Sequence, residues 1–158
     1  MMLDGYAVVQ LVTAFAGALG FALFFNMNPR FIPAASVAGF LTWALYWLLY
    51  QVMGQIFVPC IVASTFAAAF AEVMARTGRV PATAFFIIAV IPLVPGRGLF
   101  YTMSGAVNAD WASFAANGSA TFLFAAGIAC GICIVTACVQ TWKYGRAKLA
   151  HLRRKGSS

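Results

Sequence analysis

The sequence predicts an all-α fold: a polytopic membrane helix bundle of five transmembrane spans, the fourth of them broken near the midplane. Composition is the first reason, since 63% of the 158 residues are hydrophobic and only 8% are charged, whereas about a quarter of the residues of a soluble domain carry charge. The second is that apolar runs of about 18 residues or more, the length that crosses roughly 30 Å of hydrocarbon as a helix, recur along the chain. The third is a stretch rich in proline and glycine inside one of these runs. A soluble globular protein is excluded.

The first three spans follow from the apolar runs and the short turns between them. The first span has no positively charged segment before it, so we expect a retained helix rather than a signal peptide. Pro33 and Pro59 lie near the starts of the second and third spans, where a helix tolerates proline because the first N–H groups have no intrahelical partner. The polar segments 26–30 and 76–80 and the tight turn 54–55 separate the spans. The assigned spans are 5–25, 32–53 and 56–75.

The rest of the apolar sequence supplies two further spans. The fourth contains the stretch AVIPLVPGRGLFYTM, residues 89–103. We expect a loop at 108–118, with Trp111 at the membrane edge, where tryptophan is enriched. The assigned spans are 82–107 and 119–142, so residues 1–142 form one transmembrane domain and 143–158 a basic tail.

The net charge of +7 raises the question of nucleic-acid binding, because basic chains neutralise phosphate backbones. However, six of the ten Lys and Arg residues follow the last span, so we interpret the charge as a determinant of topology and expect no nucleic-acid partner. Short cytoplasmic loops retain Lys and Arg. Five spans place nine of the ten basic residues on one face, whereas a re-entrant hairpin at the fourth span would split them three against six. We therefore predict an extracytoplasmic N-terminus and a cytoplasmic C-terminus.

The interruption at 92–97 falls near the middle of the fourth span. Pro92 and Pro95 each lack a backbone donor and clash with the preceding turn, so a regular helix is not expected to continue. Backbone groups freed at that depth persist only inside protein or beside a water-filled cavity. Secondary transporters bind substrates at broken helices of this kind, where the N-terminus of a half-helix faces an anionic group. The alternative is a proline kink without a function.

Arg97 strengthens the case for a binding or gating element. An arginine at the bilayer centre costs about 2.5–3.5 kcal/mol on insertion scales, and no acid of this chain is expected at its depth. A carboxylate of a substrate or a partner subunit is the counterion that we expect. The alternative is that Arg97 snorkels outward, where Asp4 and Asp110 come within reach. We expect the half-helix to begin near Gly98, the amides of Gly98 and Leu99 to meet the carboxylate, and a Cβ at Gly96 to crowd the turn. The candidate substrate-binding or gating residues are Pro92, Pro95, Gly96, Arg97, Gly98, Leu99, Tyr101 and Trp43.

Other charged and aromatic residues are interpreted as structural. Glu72 is expected to pair with Arg76 at i,i+4, because Arg97 lies deeper in the membrane by about 15 Å. Trp43 belongs to an aromatic face of the second span, which packs against another helix or lines a pathway. The spacings Gly127-x-x-x-Gly131 and Ser64-x-x-x-Ala68 permit close helix contacts.

No pattern of catalytic residues is evident, and we expect neither an enzyme nor a cofactor. Cys130-x-x-Cys133 has no second thiol pair nearby and His151 stands alone in the tail, which is too few ligands for a metal site. No Ser/His/Asp set, paired carboxylates or phosphate-binding loop is found in the sequence.

The run FAEVMARTGRVPATAFFIIAVIPLVPGRGLFYTM, residues 70–103, resembles the C-terminal membrane domain of the threonine/serine exporter family. The family's signature is a Pro-apolar-apolar-Pro-Gly sequence followed by a tyrosine and a methionine, and residues 92–103 are similar to it. The segment 20–40 also resembles the family's first link and second span. The family pattern does not require an arginine at position 97. The matching residues are Pro92, Pro95, Gly96, Tyr101 and Met103.

The resemblance implies the stand-alone small subunit of such an exporter, the YjjB type. It implies export of small carboxylates, threonine and serine in some members and succinate in others, across the bacterial inner membrane. It also implies a larger partner subunit, the YjjP type, where fused members carry both halves in one chain. The alternatives that the residues leave open are a homo-oligomer in place of the larger subunit, and a non-transporting membrane scaffold or assembly subunit.

Overall fold

The computed structural model describes residues 5–78 and 81–155 of the chain. The described residues form six α-helices and one short 3-10 turn, without a strand among them, which confirms the predicted all-α helix bundle. Parts of the predicted link 76–80 and tail 143–158 lie outside the described residues. The helices are α1 Gly5–Phe24, α2 Ile32–Met53, α3 Phe57–Gly78, α4 Ala82–Val90, α5 Gly96–Val107 and α6 Trp111–Lys155, with the 3-10 turn Ile91–Leu93 between α4 and α5.

Four of these helices, α1, α2, α3 and α6, are long and apolar enough to cross a membrane by themselves. A fifth span arises where α4 with the 3-10 turn and α5 are taken together, although the two parts meet at a bend of 57°. The break in the fourth span therefore lies where the sequence predicts it. A bend of this size is compatible with a broken span and with a re-entrant hairpin.

The predicted loop 108–118 is wrong, because α6 begins at Trp111. Asp110 caps this helix: its side chain accepts a hydrogen bond from the Ser113 backbone N–H at 3.1 Å, and its carbonyl accepts one from Phe114 at 3.0 Å. Hydrogen bonding from Ser113 holds the pKa of the Asp110 carboxyl below its usual value. An aspartate at this position satisfies free N–H groups at a helix start, and the alanine-rich segment that follows forms a helix readily.

The basic tail is a continuation of α6, which runs from Trp111 to Lys155, a length of 45 residues. At a rise of about 1.5 Å per residue a helix of this length is more than twice as long as the hydrocarbon layer is thick. The end of α6 that carries the basic residues therefore projects beyond the bundle.

Small residues allow the helices to pack closely. Ala18 of α1 and Gly39 of α2 meet so closely that a Cβ at Gly39 would lie 2.6 Å from the Cβ of Ala18. The seam between α3 and α6 is similar, since a Cβ at Gly127 would lie 2.7 Å from that of Cys60, and one at Gly131 would lie 2.7 Å from the carbonyl oxygen of Ile61. The Gly127-x-x-x-Gly131 packing seam predicted from the sequence is therefore present, and it brings α6 against α3.

Candidate functional site

The backbone loses its helical form at the two prolines of the interruption. After the 3-10 turn, Val94 adopts an extended conformation with φ −61° and ψ 122°, and Pro95 follows with φ −78° and ψ 54°. The chain re-enters a helix at Gly96, two residues before the predicted start at Gly98. The amide of Val94 bonds to the carbonyl of Ile91 at 3.0 Å, a short-range bond that replaces the regular helical ladder.

The free amides at the start of α5 coincide only in part with the predicted ones, Gly98 and Leu99. The N–H of Leu99 donates to the carbonyl of Pro95 at 3.0 Å, and that of Gly96 to the carbonyl of Val94 at 2.8 Å. Within the described residues, no backbone acceptor is recorded for the N–H groups of Arg97 and Gly98. The predicted role of the Leu99 amide is therefore wrong, and Arg97 and Gly98 supply the available donors at the positive end of α5.

A cavity of about 230 Å³ lies beside these amides, between the break and α6. Its polar side chains come from Arg97 of α5 and from Asn117 and Thr121 of α6, so that it combines one cation with hydrogen-bonding groups in an otherwise apolar wall. The lining residues are Trp43, Ile56, Pro92, Leu93, Val94, Pro95, Gly96, Arg97, Gly98, Asn117, Ala120, Thr121 and Phe124.

Neither Asn117 nor Thr121 was a predicted site residue. Asn117 lies in the segment 108–118, which was expected to be a loop outside the membrane, and Thr121 lies at the start of the predicted span 119–142. The signal for them is the i,i+4 spacing of two polar residues on one helix face, directly before a long apolar run. In the structure Thr121 donates its hydroxyl to the carbonyl of Asn117 at 2.7 Å, and Asn117 donates to that of Ser113 at 2.8 Å. These bonds fix both side chains along the wall of the cavity.

The two glycines of the break differ in what surrounds them. A Cβ at Gly96 would meet nothing within 4 Å, so the prediction that a side chain there would crowd the turn is wrong. A Cβ at Gly98 would collide with the hydroxyl of Thr121. Gly98 is therefore the position that lets α5 approach α6 at the cavity.

Arg97 is exposed on the surface of the described bundle and also lines the cavity. Its guanidinium carbon lies 5.4 Å from the centre of the Tyr101 ring, a cation–π arrangement one turn along α5. The salt bridges formed by the described side chains all involve Glu72 rather than Arg97. Within this part of the chain, then, Arg97 has an aromatic neighbour and no acidic partner.

Trp43 lies between two cavities. It lines the cavity at the break, and with Pro92 it also lines a second cavity of about 240 Å³ next to Gln10 and Thr13 of α1. The indole N–H is buried and finds no acceptor among the described residues. Its ring lies 5.3 Å from that of Tyr46, so Trp43 both packs within the bundle and offers an unused donor beside Pro92.

The structure does not bring every predicted residue to the cavity. Leu99 and Tyr101 are 50% and 45% exposed on α5 and do not line it. The predicted pair of Glu72 with Arg76 is present, with Arg76 Nη2 at 3.0 Å from Glu72 Oε1. The described residues contain no cluster of three or more His, Cys, Asp or Glu side chains suited to a metal ion.

No curated protein and no solved structure matches the chain. The family model described as "Threonine/Serine exporter, ThrE" matches residues 10–138, a segment that includes α2, α3, the whole interruption and the start of α6 on which Asn117 and Thr121 lie. With most of its length matched, this chain belongs to the threonine/serine exporter family.

Proposed function

We propose that the chain is the small subunit of a secondary exporter in the bacterial inner membrane, and that it carries small carboxylate-bearing metabolites such as threonine and serine, or succinate. Family membership supports transport of the threonine/serine type. The observation that carries the proposal is the interruption itself, where two unpaired amides and Arg97 meet a cavity inside a membrane-spanning segment. A carboxylate in that cavity would receive N–H donors and a positive charge that the described chain leaves without an anion.

The proposed working unit contains a second protein chain, either a larger subunit of the same family or further copies of this one. The support is the position of α5, which packs chiefly against α6. Its other faces expose large apolar side chains, among them Phe100 at 67% and Met103 at 68%. Arg97 is also exposed on the surface of the described bundle, and an unpaired arginine near the middle of the membrane is costly.

Efflux measurements test this function. Cells that express this chain and its larger partner together are expected to release preloaded threonine, serine or succinate faster than cells in which either gene is missing. Unchanged efflux of all three compounds in every combination would support the alternative of a non-transporting scaffold or assembly subunit. Transport by a purified monomer in vesicles would contradict the need for a second chain.

We further propose an extracytoplasmic N-terminus and a cytoplasmic C-terminus, because the basic residues then gather on one face. Reporter domains fused after Asp110 and after Lys155 are expected to lie on opposite sides of the membrane, since α6 crosses it between them. Five spans place the first reporter outside and the second in the cytoplasm. The reverse arrangement would instead favour the re-entrant geometry for α4 and α5, in which α6 still crosses the membrane but in the other direction.

A further inference from the structure

A third cavity, of about 270 Å³, lies at the start of α4, the end of this helix away from the break, where it is lined also by residues of α3 and α6. Its volume is near the lower limit of about 300 Å³ for small-ligand pockets. Its inner wall is apolar, with Ala68, Ala71 and Phe86 among its residues. Its polar side chains include Glu72 and Lys143, so that groups of opposite charge share one small cavity.

The contact between these two charges is long and partly exposed. Lys143 Nζ lies 3.5 Å from Glu72 Oε1, a long contact, and the Lys143 side chain is 65% exposed. Arg76 binds the same oxygen more closely, at 3.0 Å, from outside the cavity lining. The contacts of the described side chains therefore converge on one carboxylate oxygen and leave Oε2 of Glu72 available.

The start of α4 adds a second positive element to the same cavity. Ala82 and Thr83, the first residues of α4, line the cavity, and Pro81 at the N-cap supplies no side-chain hydrogen bond. The amino end of a helix carries a partial positive charge. The lining of the cavity thus includes a carboxylate on α3 and two positive elements, the Lys143 ammonium and this helix end.

We propose that this cavity is a second binding site, for a zwitterionic small amino acid, and that Glu72 binds the ligand's ammonium group while Lys143 and the start of α4 bind its carboxylate. The proposal rests on the proposed transport function and names the kind of substrate that this end of the molecule takes. A dicarboxylate such as succinate fits less well, because its second carboxylate would face Glu72 without an ammonium group to offer. A zwitterion that binds between Glu72 and Lys143 replaces the ion pair of these two residues with two ion pairs to the ligand. The contact between Arg76 and Glu72 stays in place.

A protection experiment on the full-length protein in lipid nanodiscs tests the site without requiring transport. Gln140→Cys places a thiol on the cavity lining, and Thr141→Cys, the adjacent exposed residue outside that lining, is the matched control. The parental chain with its native cysteines gives the background labelling. L-threonine or L-serine is expected to slow maleimide labelling at position 140 and not at 141. Ethanolamine, lactate and succinate, each of which lacks one of the two charged groups, are expected to protect weakly or not at all.

Two charge variants complete the test. In the Gln140→Cys chain, Glu72→Gln is expected to raise the half-protecting concentration of L-threonine by about tenfold or more, the effect of losing one charge-assisted hydrogen bond. Lys143→Gln, which changes an exposed residue, is expected to act in the same direction. Equal protection by succinate and L-threonine, or unchanged protection in both variants, would overturn the site. Protection without efflux by the assembled exporter would leave the site standing and contradict the proposed function, and efflux without protection would do the reverse.

Discussion

Replacing Arg97 with leucine is expected to reduce export to the background rate while the protein still inserts into the membrane. The guanidinium is the cation at the cavity of the broken span, and it has no acidic partner among the described residues. Loss of a charge-assisted hydrogen bond costs about 1.5–3 kcal/mol, which corresponds to a loss of affinity of about tenfold or more. Leucine also removes the insertion cost of an arginine at this depth. Initial efflux rates, normalised to the amount of protein in the membrane fraction, measure the effect.

Two matched variants separate the charge from the side-chain packing. Arg97→Gln keeps hydrogen bonding and is expected to give an intermediate rate. Tyr101→Leu removes the ring under the guanidinium but leaves the charge, and is expected to have a smaller effect, because an exposed cation–π contact contributes about 0.5–1 kcal/mol. Parental export rates for both Arg97 variants would show that the arginine only reaches toward the membrane surface and that the backbone amides of α5 bind the substrate.

Substituting alanine for Gly131 is expected to destabilise the bundle by about 1–3 kcal/mol, the usual cost of forcing extra volume into a packed interface. A Cβ at this position would lie 2.7 Å from the carbonyl oxygen of Ile61 and 2.8 Å from the amide nitrogen of Thr65. Both are backbone atoms, so no change of rotamer relieves the collision and α6 must move away from α3. Thermal unfolding of the purified protein in detergent, followed by tryptophan fluorescence, measures the loss.

Gly145 of the same helix provides the control. A Cβ there would meet nothing within 4 Å, so Gly145→Ala is expected to be neutral or to stabilise the helix by up to about 1 kcal/mol, the difference in helix propensity. A loss of stability for Gly131→Ala without a loss for Gly145→Ala would support the α3–α6 seam as described. Equal effects at both positions would show that α6 does not pack on α3 through Gly131.

The two cavities along the broken span differ in the charges of their lining residues. The cavity at the break has one cation and no carboxylate in its lining, and the cavity at the start of α4 has both charges. The first suits the carboxylate group of a ligand, and the second suits an ammonium and a carboxylate together. Both lie along the same broken span, one at each end of α4.

The sequence by itself determined the features that depend on local chemistry. Hydropathy over about 18 residues marks a span whatever surrounds it. Pro92 and Pro95 interrupt a helix because each lacks an N–H and clashes with the turn before it, and the structure has the interruption there. Glu72 and Arg76 meet because residues four apart on a helix are neighbours, and the pair is present at 3.0 Å.

Only the tertiary structure decided which residues meet across helices. A helix that is apolar on most sides carries little record of which face turns inward. The spacing of Asn117 and Thr121 indicates one polar face of α6, but only the structure shows that this face meets the break. The same holds for the contact of Lys143 with Glu72 across α6 and α3. The sequence predicted that a side chain would be crowded at Gly96, but the crowded position is Gly98, because α6 lies beside α5 there. Local patterns determine where a helix begins, breaks and crosses the membrane. The rotation of each helix about its axis is set by the small residues that pack between neighbouring helices, and that packing exists only in the assembled bundle.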